Sequence, residues 1–102
     1  MFEFLKNLFK RPDYKALIEE QGALIIDVRN PHEYKAGHIK NSQNIPLDNI
    51  ASKTDHISKK GKPIVTVCAS GRRSGIAAKI LKNAGIEAYN GGGWSSLKSR
   101  LG

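Results

Sequence analysis

Two short apolar runs, Ala23-Leu24-Ile25-Ile26-Asp27-Val28 and Pro63-Ile64-Val65-Thr66-Val67, constrain what this chain can fold into more than any other feature of it. Each is rich in β-branched residues and too short for an ordinary helix. A strand apolar on both faces must be covered on both faces, as strands of parallel sheets are. Helical patterns stand around the two runs. Asp13 is placed to cap a helix with Tyr14, Leu17 and Ile18 facing inward and Gly22 ending it. Asn30-Pro31-His32-Glu33 reads as a helix start, with Asn as cap, Pro in the first position and Glu at the third, and that helix ends near Gly37. Ile45-Pro46 precedes a helix that turns Leu47, Ile50, Ala51 and Ile57 inward, and residues 59–62 form a polar turn. After the second run a helix starts at about Arg73, with Ile76, Ile80, Leu81 and Ala84 on one face and Gly85 as its stop. Residues 86–89 predict a short strand, Gly91-Gly92-Gly93 a turn, and Trp94, Leu97 and Leu101 a last helical face. Strands alternating with helices give an α/β domain, a small and mainly parallel sheet flanked by helices on both faces.

The 102 residues fit one domain with one core. Seventeen Lys and Arg against nine Asp and Glu give a formal charge of +8. Such a surface attracts anions of any size, from small oxyanions to nucleic acid or acidic lipid, and does not choose among them. The basic residues are scattered and no nucleic-acid motif is present, so nucleic acid is not an expected partner. The single cysteine excludes an intramolecular disulfide and a CxxC dithiol mechanism. It cannot build a structural zinc site alone, and His32, His38 and His56 lack ligand-like spacing, so no metal is expected. No apolar run approaches the roughly 20 residues that span a bilayer. The opening MFEFLKNLFKR carries charges through its apolar stretch and makes a poor signal peptide, so the expected location is the cytoplasm.

That opening is a segment of its own. On a helical wheel Met1, Phe2, Phe4, Leu5, Leu8 and Phe9 fall on one side and Glu3, Lys6, Asn7, Lys10 and Arg11 on the other, and Pro12 breaks the pattern. The expected organisation is therefore an amphipathic segment over residues 1–12 followed by a domain over residues 13–102. The segment is expected to lie on its own domain and to be dispensable for chemistry. A second protomer and weak contact with an anionic membrane surface compete as places for it.

The informative unit is strand, Cys68, short loop, helix. In open parallel sheets ligands bind beyond the carboxyl ends of the strands, where Cys68 stands. The loop Ala69-Ser70-Gly71-Arg72 leads into a helix, so several backbone N–H groups can converge on one point, and the helix dipole favours negative charge there. Such an environment, with Arg72 and Arg73 close by, lowers a thiol pKa and suits an oxyanion. Gly71 lets the backbone turn without a Cβ clash. A buried cysteine at a strand end can also be a plain packing residue, but packing does not call for Ser-Gly-Arg-Arg-Ser immediately after it. Asp27 ends a strand beside this region and reads best as a cap for the next turn, with orientation of loop N–H groups or an Arg as the other possibility. Arg29 can pair with Asp27, Glu33 or substrate. His38 invites a general-base reading, against which its Gly-His-Ile context suggests a packed, hydrogen-bonded structural residue, and Trp94 reads as a core or pocket-wall residue.

Cys68-Ala69-Ser70-Gly71-Arg72-Arg73-Ser74 resembles the active loop of rhodanese-family sulfurtransferases, often written C-R-S-G-x-R-S. Cys68, Ser70, Gly71, Arg73 and Ser74 match, Ala69 replaces the usual basic residue, and Arg72 occupies the variable place. Ile26-Asp27-Val28-Arg29, Glu33-Tyr34, Gly37-His38-Ile39 and Asn44-Ile45-Pro46 resemble the first half of the same family, with Asn41-Ser42 where Gly-Ala is usual. Gly92-Gly93-Trp94 resembles its terminal turn, with Leu97 where a second Trp is often found. The resemblance covers residues 14–101 and implies the rhodanese-like fold. It also implies transfer of sulfane sulfur, through a Cys68 persulfide, from a small anionic donor such as thiosulfate to cyanide, a thiol or a protein acceptor. Ala69, Ser70, Gly71, Arg72 and Arg73 would then bind substrate, with Asp27, Arg29, Ser74 and Trp94 supporting, and no cofactor is implied. A non-catalytic docking or sulfur-carrier module is the alternative, and the presence of Cys68 argues against an inactive docking unit. An arsenate reductase of this fold is a further alternative. A C-x5-R phosphatase would require Arg at position 74, which is Ser74.

Overall fold

The computed structural model describes residues 12–102. The expectations for the amphipathic stretch 1–11 lie outside the described residues. Chain order is α1 (Tyr14–Gln21), β1 (Leu24–Asp27), α2 (Pro31–Ala36), β2 (Gln43–Asn44), α3 (Leu47–Ile50), a 3-10 turn (Ala51–Lys53), α4 (Thr54–Ser58), β3 (Ile64–Cys68), α5 (Arg72–Asn83), β4 (Ala88–Gly93) and α6 (Trp94–Leu101). Among the described residues the sheet has four strands in the order β2-β1-β3-β4, all parallel.

The two apolar runs are the central strands, and period-two alternation sends their side chains to opposite faces. On one face Ile26, Val28, Ile64 and Cys68 pack with Ile50, Ile57, Ala77, Ala78 and Leu81 from α3, α4 and α5. On the other Ile25, Val65 and Val67 pack with Tyr14, Leu17 and Leu97 from α1 and α6. No helix of the described residues is long and apolar enough to cross a membrane.

One strand is unforeseen and three local expectations are corrected. The two-residue β2 has no apolar signal; it is a strand because Gln43 and Asn44 pair with Ile26 and Asp27, and because Asn44 Nδ2 donates to the carbonyls of Asp27 and Arg29 at 2.9 Å. Gly91-Gly92-Gly93 belongs to β4 rather than to a free turn. The β3–β4 register slips between Thr66 and Cys68, and a Cβ on Gly91 would lie 2.7 Å from Val65 Cγ1 and 2.8 Å from the Thr66 carbonyl oxygen. On α5 the buried stripe is Ser74, Ala77, Ala78 and Leu81, while Ile76 is 48% exposed and Ala84 is exposed. Small side chains let this helix lie close to the sheet, so volume rather than hydrophobicity selects its inner face. Ala51 is likewise exposed, because the chain leaves α3 there for a 3-10 turn.

Candidate active site

Cys68 is the last residue of β3 and is 1% exposed. The chain then turns through Ala69 and Ser70, both exposed, to Gly71, the N-cap of α5 at φ 99°. An L side chain is strained at that angle, and a Cβ there would meet Gly92 Cα at 3.3 Å. The turn wraps the backbone around the sulfur. The Gly71 N–H donates to Cys68 Sγ at 3.0 Å and the Ser74 N–H at 3.3 Å, with Ser74 Oγ also 3.3 Å away. Burial pushes the Cys68 thiol up. The Ser74 hydroxyl and the backbone N–H groups of Ser74, Ser70 and Gly71 pull it down, and the balance lies below the ordinary thiol value.

The Arg charges act less directly than the sequence suggests, since hydrogen bonds rather than Arg72 or Arg73 lead the lowering of the Cys68 thiol. Arg72 is exposed. Arg73 forms a two-pronged pair with Glu33, Nη1 to Oε1 at 2.7 Å and Nη2 to Oε2 at 3.1 Å. These bonds, followed by one from the Asn30 N–H, hold the Glu33 carboxyl at about 2, and the same pair raises Arg73. Two Arg and no acid in the first turn of α5 oppose the helix dipole. Glu33, reaching across from α2, offsets one of them.

Asp27, Arg29 and Trp94 form a separate cluster on the opposite face of the sheet. Asp27 lies in register with Val67 rather than Cys68, so its side chain points away from the thiol. It is fully buried, accepts from the Arg29 N–H at 3.0 Å and pairs with the Arg29 guanidinium at 2.8 Å. Asp27 thus caps its own turn, as expected, and also orients an Arg, the other possibility, that Arg being Arg29. Arg29 also donates to the carbonyls of Glu33 (3.2 Å) and Gly37 (2.6 Å) and stacks 4.6 Å above the Trp94 ring. Its donors serve the fold, which leaves substrate contact without support. Gly37 is extended; what requires glycine there is the Trp94 ring, 2.9 Å from where a Cβ would stand. His38 is hydrogen-bonded as expected, Nδ1 lying 2.7 Å from the Tyr34 carbonyl with the ring stacked on Tyr34, but it is exposed rather than packed inside.

Two residues reach the loop without a sequence signal for it, Asn90 and, beyond its capping place, Glu33. Asn90 Nδ2 donates to the Gly71 carbonyl at 3.0 Å, while its Oδ1 accepts from the Gly92 N–H at 3.0 Å and from Ser74 Oγ at 2.6 Å. A cleft of about 430 Å³ beside the loop is lined by Ser70, Gly71, Asn90, Gly92 and Arg100, among others.

The Rhodanese-like domain family model matches residues 10–100. The chain is 40% identical over 83 residues to the uncharacterized protein YqhL of Bacillus subtilis, a match covering 74% of this chain and 65% of that protein. It is 40% identical over 82 residues to the thiosulfate sulfurtransferase GlpE of Pseudomonas fluorescens, covering 76% of this chain and 72% of that one. A solved structure described as rhodanese with anions from E. coli superimposes with a TM-score of 0.65 at 32% identity, covering 72% of this chain and 88% of that chain. The chain belongs to the rhodanese-like domain family.

Proposed function

We propose that this member of the rhodanese-like domain family is a thiosulfate sulfurtransferase that carries sulfane sulfur on Cys68. The Cys68 thiolate attacks the outer sulfur of a small anionic donor such as thiosulfate. The new S–S bond takes the thiolate's electron pair, the donor's own S–S bond breaks, and sulfite leaves with that pair. Cys68 then holds an anionic persulfide. A thiophilic acceptor, cyanide in an assay or a thiol or protein thiol in a cell, attacks the outer sulfur and returns Cys68 as thiolate. With thiosulfate and cyanide every participant is an anion and no proton moves; a thiol acceptor attacks as its thiolate, having given its proton to solvent.

The observation that carries this reading is the ring of donors around a buried sulfur, the Gly71 and Ser74 N–H groups at 3.0 and 3.3 Å. These donors are fixed by the turn and the first turn of α5, so they stabilise an anionic sulfur with little reorganisation. In this reading Cys68 is the nucleophile, the backbone of Ala69, Ser70 and Gly71 cradles the transferred sulfur, and Arg72 and Arg73 attract the donor. The thiosulfate sulfurtransferase name of a relative 40% identical to this chain supports it. Covalent transfer in two half-reactions requires ping-pong kinetics. The test is thiocyanate formation from thiosulfate and cyanide. Parallel double-reciprocal lines and loss of turnover in Cys68→Ser are expected. Turnover above background in that variant would overturn the assignment of the nucleophile.

A further inference from the structure

At the Cys68 loop one hydroxyl hydrogen, that of Ser74, lies between two acceptors, Asn90 Oδ1 at 2.6 Å and Cys68 Sγ at 3.3 Å. Asn90 cannot flip, because its amide is fixed by an acceptor on one side, the Gly71 carbonyl at 3.0 Å, and a donor on the other, the Gly92 N–H at 3.0 Å. Its Oδ1 therefore faces Ser74 Oγ and has no proton to give. At 2.6 Å the hydrogen between them belongs to Ser74. A serine hydroxyl carries one hydrogen. While that hydrogen is on Asn90, Ser74 turns only lone pairs toward Cys68 Sγ, 3.3 Å away. The arrangement suits a neutral thiol, whose S–H can donate to Ser74 Oγ. The hydroxyl helps a thiolate only when it leaves Asn90 and turns its hydrogen to the sulfur, whereas the Gly71 and Ser74 N–H groups serve the thiolate in either case.

We propose that Asn90 is a positioning residue that holds the single Ser74 hydroxyl hydrogen away from Cys68 and so sets how readily the sulfur ionises. The proposal rests on the reading of Cys68 thiolate as the nucleophile and adds a control on its supply. The other charged groups near Cys68 lie elsewhere. Arg72 and Arg73 belong to α5, Glu33 of α2 engages Arg73, and Asp48 of α3 shares a cleft with Arg73. Asp27 and Arg29 of β1 pair on the opposite face, and Arg100 of α6 lines the cleft beside Ser70 and Gly71. None of them is a partner in the Ser74–Asn90 bond.

Cys68 is the only cysteine, so the pH dependence of iodoacetamide alkylation of the full chain reports its ionisation alone. Asn90→Leu frees the hydroxyl for the thiolate and should lower the midpoint by about one pH unit. Ser74→Ala in the native background should move it by less than about a third of a unit, because the hydroxyl gained on ionisation is lost to Asn90. The double variant should return to about the native midpoint, a non-additivity that a merely structural Asn90 does not produce. An unmoved or raised midpoint in Asn90→Leu, or a rise of about one unit in Ser74→Ala alone, would overturn the proposal. Ser74→Ala decides the matter by itself if Asn90→Leu does not fold. Alkylation needs no sulfur transfer, so a native chain that accepts no sulfur from thiosulfate would refute the functional reading and leave this result standing.

Discussion

Replacing Gly71 by Ala perturbs the loop at the point where backbone geometry and thiol chemistry meet. Gly71 sits at φ 99°, where an L residue costs about 1–2 kcal/mol. Its new Cβ would also face Gly92 Cα at 3.3 Å, so two backbone segments must part by a few tenths of an ångström. Together these should destabilise the fold by about 3 kcal/mol, a fall in Tm of roughly 10–25 °C for a domain of this size. Moving the loop away from Gly92 also draws the Gly71 N–H from its 3.0 Å contact with Cys68 Sγ. A hydrogen bond to a charged group is worth about 1.5–3 kcal/mol, so the thiol midpoint should rise by about 1–2 pH units. Gly85→Ala is the control: its φ is 83° but a Cβ there meets nothing within 4 Å, so it should cost about 1–2 kcal/mol in stability and leave the thiol alone. Thermal unfolding and alkylation against pH measure both quantities. If Gly71→Ala loses stability but titrates like the native protein, the loop N–H groups do not set the ionisation of Cys68.

Gly91→Ala should destabilise the fold by at least about 3 kcal/mol, because its Cβ would stand 2.7–3.1 Å from Val65, Thr66 and Val67 in the sheet; denaturant unfolding measures this. Arg73→Ala should lower kcat/KM for thiosulfate by about tenfold or more while Lys59→Ala leaves it unchanged, and equal values in steady-state assays would contradict the role given to Arg73. The Glu33 carboxyl, held at about 2 against an ordinary 4.5, contributes stability that is fully present above pH 4.5 and is lost as pH falls through about 2. Glu33→Gln should therefore reduce the steepness of Tm against pH on the acid side, and an unchanged acid slope would argue against the Glu33–Arg73 pair.

The central strands and the cysteine loop were legible because their signals are local: β-branched runs, a glycine before a helix, a thiol at a strand end. What escaped reading acts over distance or through volume. Glu33 and Arg73 are 40 residues apart, and Asn90 meets Ser74 across 16, so neither pairing leaves a spacing to recognise. Glu33 was visible only in its local place at a helix start. β2 is polar and owes its existence to the neighbouring strand and to Asn44. On α5, Ile76 fits the apolar period as well as Ala77 does. Only the close approach of helix to sheet, with the Thr66 hydroxyl donating to the Ser74 carbonyl at 2.8 Å, decides that the small side chains face inward. Asp27 caps its own turn, a local role its position at a strand end signals, and strand parity carries its side chain to the opposite face from Cys68.

Intact mass after incubation with thiosulfate tests the central claim most directly. The native chain should gain the mass of one sulfur, lose it again on addition of cyanide, and show no gain when Cys68 is replaced by Ser. A native chain that gains nothing, from thiosulfate or from other sulfane donors, would contradict the sulfurtransferase account and favour a docking module on the same fold.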